Sequence, residues 1–141
     1  MSIAFSNQIE SFTIPDESRL KKWITAVVTN RGCRIGIINY LFTDDEYVLS
    51  INETFLNHDT YTDIITFDYV VGNIISGDIL ISADRVRENA NLFNVSLEQE
   101  ILRVVIHGVL HLLGQGDKTD EQAAEMRRLE NDALLLWKTI V

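Results

Sequence analysis

Residues 96–117 read SLEQEILRVVIHGVLHLLGQGD, a stretch that combines a long apolar run with two histidines four residues apart. Ser96 followed by Gln99 has the sequence pattern of a capping box at a helix N-terminus. The apolar residues that follow recur with helical spacing. The stretch therefore predicts a helix over 97–114 that carries both histidines on one face.

The two histidines and the aspartate that follows them predict a metal site. His107 and His111 lie one turn apart on the predicted helix, and Gly114 can take the left-handed conformation that ends it. The chain can then turn back and bring Asp117 toward both rings. Two imidazoles, one carboxylate and an open position form the ligand set of a catalytic zinc site. We predict one Zn²⁺ per chain, with another divalent metal as the alternative.

The spacing H-x-x-x-H-x-x-G-x-x-D is that of the metzincin motif, with aspartate in place of the last histidine. However, Gly108 stands where a zinc protease carries its glutamate base. We expect this glycine to let another backbone or a substrate approach closely. Phosphodiester cleavage, which needs less help from a base, fits better than peptide hydrolysis. The alternative is that one or both histidines are core residues bonded to a backbone carbonyl, and that Asp117 is an exposed turn residue.

Length and composition indicate one globular domain, residues 1–141, with 46% hydrophobic and 23% charged residues. The single cysteine, Cys33, cannot form an internal disulfide, and the N-terminus lacks the pattern of a signal peptide. No apolar run is long enough to span a bilayer, so we expect a cytoplasmic protein without a membrane partner. The net charge of −9 argues against nucleic-acid binding unless a local basic patch is present.

The remaining sequence alternates between strand and helix patterns and then becomes helical. Thr43 to Glu46 has the pattern of a capping box before the second helix. Strands are predicted at 2–6, 34–42, 63–70 and 74–82, and further helices from Pro15 to before Gly32 and at 44–56, 84–93 and 120–138. The fold class is therefore α+β, a small mixed sheet of about four strands packed by about five helices.

Three segments together resemble the YbeY family of bacterial rRNA-maturation endoribonucleases. Residues 107–114, HGVLHLLG, are similar to the family signature H-G-x-L-H-L-x-G. Residues 52–55, NETF, followed by 61–67, YTDIITF, resemble its L-N-x-x-[YF] and T-D-V-L-S-F elements, and residues 77–81, GDILI, resemble its G-D-I-x-I strand. The matching segments occur in the family's order and spacing.

This resemblance implies metal-dependent cleavage of single-stranded RNA, in 16S rRNA 3′-end maturation and ribosome quality control. It implies rRNA and the small ribosomal subunit as partners, and a zincin-like fold. His107 and His111 carry over as metal ligands. The family's third histidine is Asp117 here, which we retain as a ligand on chemical grounds, and a family arginine is replaced by Leu56.

His58 lies two residues after that leucine in a polar loop and is a candidate proton donor or phosphate contact. Candidate RNA-binding residues are Arg31, Arg34, Arg85 and Arg87. Two other functions stay open at this point. One is a metallopeptidase or amide hydrolase with its base elsewhere in the chain, and the other is a non-catalytic ribosome-associated module with a structural metal. The oligomeric state is not predicted.

Overall fold

The computed structural model describes residues 2–56 and 62–141. In these ranges the chain forms β1 (Ser2–Asn7), α1 (Glu17–Asn30), β2 (Arg34–Thr43), α2 (Asp45–Leu56), β3 (Ile64–Asp68), β4 (Ile74–Ser82), α3 (Ala83–Leu92), α4 (Leu97–Leu112) and α5 (Asp120–Trp137). This succession of four strands and five helices confirms the predicted α+β class.

The four strands form one mixed sheet in the order β1-β2-β4-β3. β1 pairs with β2, and β2 with β4, in parallel, whereas β3 and β4 form an antiparallel hairpin whose turn is closed by a bridge between Val71 and Ile74. Within the described part of the chain β3 is therefore an edge strand, with one side free of strand pairing.

α4 is the central helix of the fold, because it contacts β3, β4 and three other helices. Gly108 faces the sheet at this contact, since a Cβ atom there would lie 2.9 Å from Cδ1 of Ile79 and 3.1 Å from Cδ1 of Ile64. The expectation that Gly108 admits another backbone or a substrate is therefore wrong. The glycine admits isoleucine side chains of β4 and β3, which pack directly on the helix.

α5 packs on α4 and on α1 and completes the helical layer. The indole Nε1 of Trp23 in α1 donates a 2.7 Å hydrogen bond to the backbone oxygen of Ala133 in α5. The Trp23 ring also makes an edge contact with Trp137. These contacts fix the position of α5, which contributes a residue to the site described below.

Most predicted boundaries agree with the structure within two residues, and the differences have local causes. The cap of α2 is Asp44, which accepts a 2.7 Å bond from the backbone N–H of Tyr47. The predicted cap, Thr43, instead belongs to β2 and donates to Gln8. β3 is shorter than predicted at its C-terminal end, where the backbone N–H of Val70 donates to the Asp68 side chain. No helix within 2–56 and 62–141 combines the length and apolar character needed to cross a membrane.

Candidate metal centre

The three predicted ligands lie together in the structure. The Nε2 atoms of His107 and His111 are each 3.3 Å from the same carboxylate oxygen, Oδ2 of Asp117. The potential ligand atoms of the three residues all lie within 4.8 Å of one another, so the group can hold a metal ion. The donor set, two imidazole nitrogens and one carboxylate oxygen, is one that zinc and other first-row divalent metals accept.

The turn after α4 brings the aspartate back to the histidines. Gly114 adopts a φ of +98°, a conformation that other residues rarely take. The backbone N–H groups of Gly114 and Gln115 donate to the carbonyls of His111 and Leu110, both at 2.9 Å, which closes the end of the helix. Because the chain reverses here, α4 ends at Leu112 rather than at the predicted residue 114.

The contacts of the outer ring nitrogens determine which nitrogen of each histidine faces the metal position. Nδ1 of His111 is 2.9 Å from the backbone oxygen of Gln115. A carbonyl oxygen can only accept, so Nδ1 carries the proton and Nε2 keeps a free lone pair. Nδ1 of His107 is 2.6 Å from Oε2 of Glu130, and an ionised carboxylate likewise accepts a proton from Nδ1. Both rings therefore direct an unprotonated Nε2 toward Asp117 when they are neutral.

Glu130 is a charged residue in the interior, with 4% of its surface exposed. Its second oxygen, Oε1, accepts a 2.9 Å hydrogen bond from Arg103 of α4, whose other terminal nitrogen donates to Asn131 at 3.0 Å. Burial is the largest single influence on the carboxyl group and raises its pKa, but the bonds from His107 and Arg103 outweigh it and lower the pKa of Glu130. The carboxylate therefore stays ionised beside the ring.

The same contacts act on the histidine. Burial is the largest single influence and lowers the pKa of His107, but the hydrogen bond and the charge of Glu130, together with Asp63 and Asp117, outweigh it and raise the pKa. The ring of His107 thus holds a second proton more readily than a free imidazole does. Because a ligating histidine has to be neutral, a metal ion would compete with that proton for the ring.

Our reading of the sequence did not identify Glu130 as part of the site. The pattern that reveals it is the buried stripe of α5, where Met126, Ala133 and Trp137 keep helical spacing and Glu130 occupies the remaining position. A charged residue in an apolar stripe indicates a buried partner, because an unpaired charge is costly to bury. That partner lies on another helix, and helical spacing within α5 does not identify it.

The candidate ligands open onto a cleft of about 620 Å³ between α2, the edge strand β3 and the turn after α4. It is lined by Asn52, Leu56, Thr62, Asp63, Ile64, Ile65, Thr66, Asp68, His107, His111, Asp117 and Lys118. Three of these side chains are carboxylates. Apart from the two histidines, Lys118 is the only one of the described lining residues with a basic side chain, and it lies next to Asp117 in the chain.

Two of the predicted RNA-binding arginines make contacts elsewhere. Arg85 on α3 forms an ion pair with Asp45 of α2, with Nε 3.2 Å from Oδ1. Arg87 donates a 3.0 Å hydrogen bond to the backbone oxygen of Ser11. Neither lines the cleft.

Arg31 and Arg34 lie outside the cleft as well. Arg31 follows the last residue of α1, and Arg34 is the first residue of β2. The structure therefore brings none of the four arginines to the candidate ligands, and their role in RNA binding stays a prediction. Leu56 does line the cleft, whereas His58 lies outside the described residues.

Comparison with known proteins places this chain in a family. The sequence profile described as "Endoribonuclease YbeY" matches residues 4–138. Proteins of that name from Flavobacterium johnsoniae and Porphyromonas gingivalis are 47% and 50% identical to this chain over 135 and 120 residues. These matches cover 96% of this chain and 96% of the first relative, and 85% of this chain and 80% of the second.

The fold also resembles that of a solved structure. The solution structure of TM1509 from Thermotoga maritima matches 98% of this chain and 93% of its own, with a TM-score of 0.64 and 25% sequence identity. The profile and the curated relatives extend over nearly the whole chain, as this structural match does. The chain belongs to the Endoribonuclease YbeY family.

Proposed function

We propose that His107, His111 and Asp117 hold one Zn²⁺ ion, and that the chain uses it in the cytoplasm to cleave single-stranded RNA at the 3′ end of 16S rRNA. As a member of its family the chain is an endoribonuclease, a hydrolase that acts on RNA. The observation that carries the proposal is the convergence of two Nε2 atoms on one carboxylate oxygen, each at 3.3 Å, beside an open cleft.

In this proposal His107, His111 and Asp117 bind the metal ion, and other residues of the cleft bind the substrate. A divalent ion held by His107, His111 and Asp117 would supply Lewis acidity for phosphodiester cleavage. Asp117 contributes the one negative charge of the ligand set, and the outer contacts of His107 and His111 hold their rings toward it. The three described residues would supply one ligand fewer than a closed four-coordinate structural site requires.

We infer that Lys118 contacts the phosphate backbone. It lines the cleft beside Asp117, and the cleft otherwise presents the carboxylates of Asp63 and Asp68. A polyanion that enters this cleft needs a positive charge near the scissile phosphate. The cleft measures about 620 Å³, within the range of roughly 300–1,000 Å³ that is usual for small-ligand clefts.

Two alternatives to this function lack specific support. A metallopeptidase needs a base close to the attacking water, and Gly108 leaves the usual position empty. A non-catalytic module with a structural metal needs a fourth protein ligand, and no cluster larger than the three residues occurs in the described part of the chain.

The test combines metal analysis with RNA cleavage. Purified protein is assayed for bound metal and for cleavage of a single-stranded 16S 3′-precursor fragment, before and after chelation and after return of Zn²⁺. We expect chelation and His111→Ala each to abolish cleavage, and Zn²⁺ to restore it only in the wild type. Asp117→Asn tests the third ligand. Its control is Asp120→Asn, which makes the same change at an exposed residue three positions along the chain.

Cleavage by folded, metal-free His111→Ala protein would refute the proposal. Casein cleavage without RNA cleavage would favour the metallopeptidase, and a four-coordinate site with RNA binding that survives the ligand substitutions would favour the non-catalytic module. Retained metal and full activity in Asp117→Asn would remove Asp117 from the ligand set and leave the two histidines.

A further inference from the structure

The metal centre depends on a contact made on the side of His107 that faces away from the cleft. We propose that Glu130 is a positioning residue, which fixes the ring orientation and the protonated nitrogen of His107 for metal binding, and that Arg103 holds Glu130 in place. This inference rests on the metal site proposed above. It assigns a role to two residues that line a separate cavity behind the site.

The geometry of Glu130 supports this role. Its Oε2 lies 2.6 Å from Nδ1 of His107, a distance typical of a strong charge-assisted hydrogen bond. Its Oε1 lies 2.9 Å from Nη1 of Arg103. Oε2 therefore bonds to His107 and Oε1 bonds to Arg103, with Nη1 of Arg127 a further 3.9 Å from Oε1. A rotation that improves one of the two hydrogen bonds would break the other. The side chains of Glu130 and Arg103 are only 6% and 15% exposed, so water replaces neither contact easily.

Packing alone does not explain a carboxylate at this position. The neighbouring buried positions of the α5 stripe carry Met126, Ala133 and Trp137. A well-packed apolar residue in place of a buried ion pair is often neutral or stabilising. An apolar residue at position 130 would satisfy the stripe but would leave Nδ1 of His107 without an acceptor. The carboxylate therefore provides the hydrogen-bond acceptor for Nδ1 of His107, which is also a candidate ligand.

The two histidines differ in how their rings are held, and this difference makes the inference testable. His111 is oriented by the backbone carbonyl of Gln115, which a side-chain substitution leaves in place. His107 is oriented by a side chain from another helix. Arg103 lies one turn before His107 on α4 and also donates to Asn131. The orientation of one candidate ligand is thus linked to the packing of α4 against α5.

The experiment measures Zn²⁺ affinity in the full chain by competition with a chromophoric chelator, without using RNA. We expect Glu130→Leu to weaken Zn²⁺ binding roughly 10–100-fold, the usual effect of losing such an outer partner. Glu130→Gln should lose less Zn²⁺ affinity, because its amide oxygen can still accept a hydrogen bond from Nδ1. The Zn²⁺ affinity of Arg103→Gln should lie between those of the two Glu130 variants. The control is Glu125→Gln, which breaks an exposed ion pair to Arg128 on the same helix and should leave affinity unchanged.

A second readout separates positioning from a purely structural role. Nitrogen-15 correlation spectra of the metal-free protein at alkaline pH report which ring nitrogen carries the proton. We expect Nδ1–H at both candidate ligands in the wild type, a mixture at His107 in Glu130→Leu, and no change at His111. If Glu130→Leu does not fold, Glu130→Gln and Arg103→Gln give the same comparison.

Two failures of this experiment have different meanings. Variants of Glu130 that are folded and bind Zn²⁺ as tightly as wild type, with His107 still protonated at Nδ1, would overturn this inference alone. A wild-type protein that binds no Zn²⁺ would overturn the metal site, and the inference with it. Loss of stability without loss of affinity would reduce Glu130 to a packing residue.

Discussion

Replacement of Gly108 by alanine tests whether this glycine is present for packing rather than for chemistry. Gly108 lies in the middle of α4, where alanine would normally stabilise a helix by about 1 kcal/mol. A Cβ atom there would, however, approach Cδ1 of Ile79 to 2.9 Å and Cγ2 of the same side chain to 3.1 Å. Cδ1 of Ile64 would lie at 3.1 Å on the other side. The added methyl group therefore has no free space on the sheet side.

The expected net effect of Gly108→Ala is a loss of about 1 kcal/mol in the free energy of unfolding. Overpacking of a close-packed interior costs about 1–3 kcal/mol, which exceeds the gain from helix propensity. Ile79→Val removes the closest atom, Cδ1, and by itself costs about 0.5–1.5 kcal/mol through the lost methyl group. In the double variant the new methyl group occupies part of that space. The double variant should therefore lose less unfolding free energy than the two single variants lose together.

Urea denaturation of the metal-free wild type, both single variants and the double variant gives the required double-mutant cycle. A favourable coupling of about 1 kcal/mol between positions 108 and 79 is expected. If Gly108→Ala instead stabilises the protein by the full helix-propensity gain, with no coupling to Ile79, the packing explanation is refuted.

The cleft and one buried carboxyl group lead to three further expectations. Lys118→Gln should weaken binding of a non-cleavable single-stranded RNA and lower the steepness of log affinity against log salt by about 0.7. The control, Lys21→Gln on α1, should change neither quantity. Equal slopes in the two variants would contradict a phosphate contact by Lys118. Leu56→Arg adds a cation to the cleft and should tighten binding of the same RNA at low salt, so unchanged affinity would argue against an RNA path there. Burial raises the pKa of Glu100 above 4.5, so the contribution of Glu100 to stability falls as pH rises above that value, and Glu100→Gln should stabilise the protein at neutral pH but not below pH 4.5. Urea denaturation across this pH range gives the measurement. A Glu100→Gln variant with no higher unfolding free energy than the wild type at neutral pH would contradict this expectation.

The convergence of the three candidate ligands could be predicted in outline because they lie in one short segment. Helical spacing places His107 and His111 on one face, and the conformational freedom of Gly114 allows the reversal that returns Asp117. These relations involve residues within eleven positions of one another. The secondary structure was predictable for a similar reason, since capping residues and apolar periodicity are local properties of the chain.

The contacts that orient the site could not be predicted from local pattern. Glu130 reaches His107 across 23 positions of sequence, and its side chain meets the ring only because α5 packs on α4. The same limit affected the basic residues. Arg85 and Arg87 looked available for RNA, but in the folded chain they contact Asp45 and Ser11. Charge in a sequence does not show which partner the fold supplies.

The acidic composition of the chain, which argued against a nucleic-acid substrate, fits the geometry of the cleft. The net charge is −9, and the described wall of the cleft carries the carboxylates of Asp63, Asp68 and Asp117 against one lysine, Lys118. An RNA phosphate would meet unfavourable charge in this cleft without a metal ion. A divalent ion at the candidate ligands would reverse the local sign at the point where the phosphate has to be held. The metal ion would then supply the positive charge that RNA binding requires, and the cleft would not need a basic protein surface.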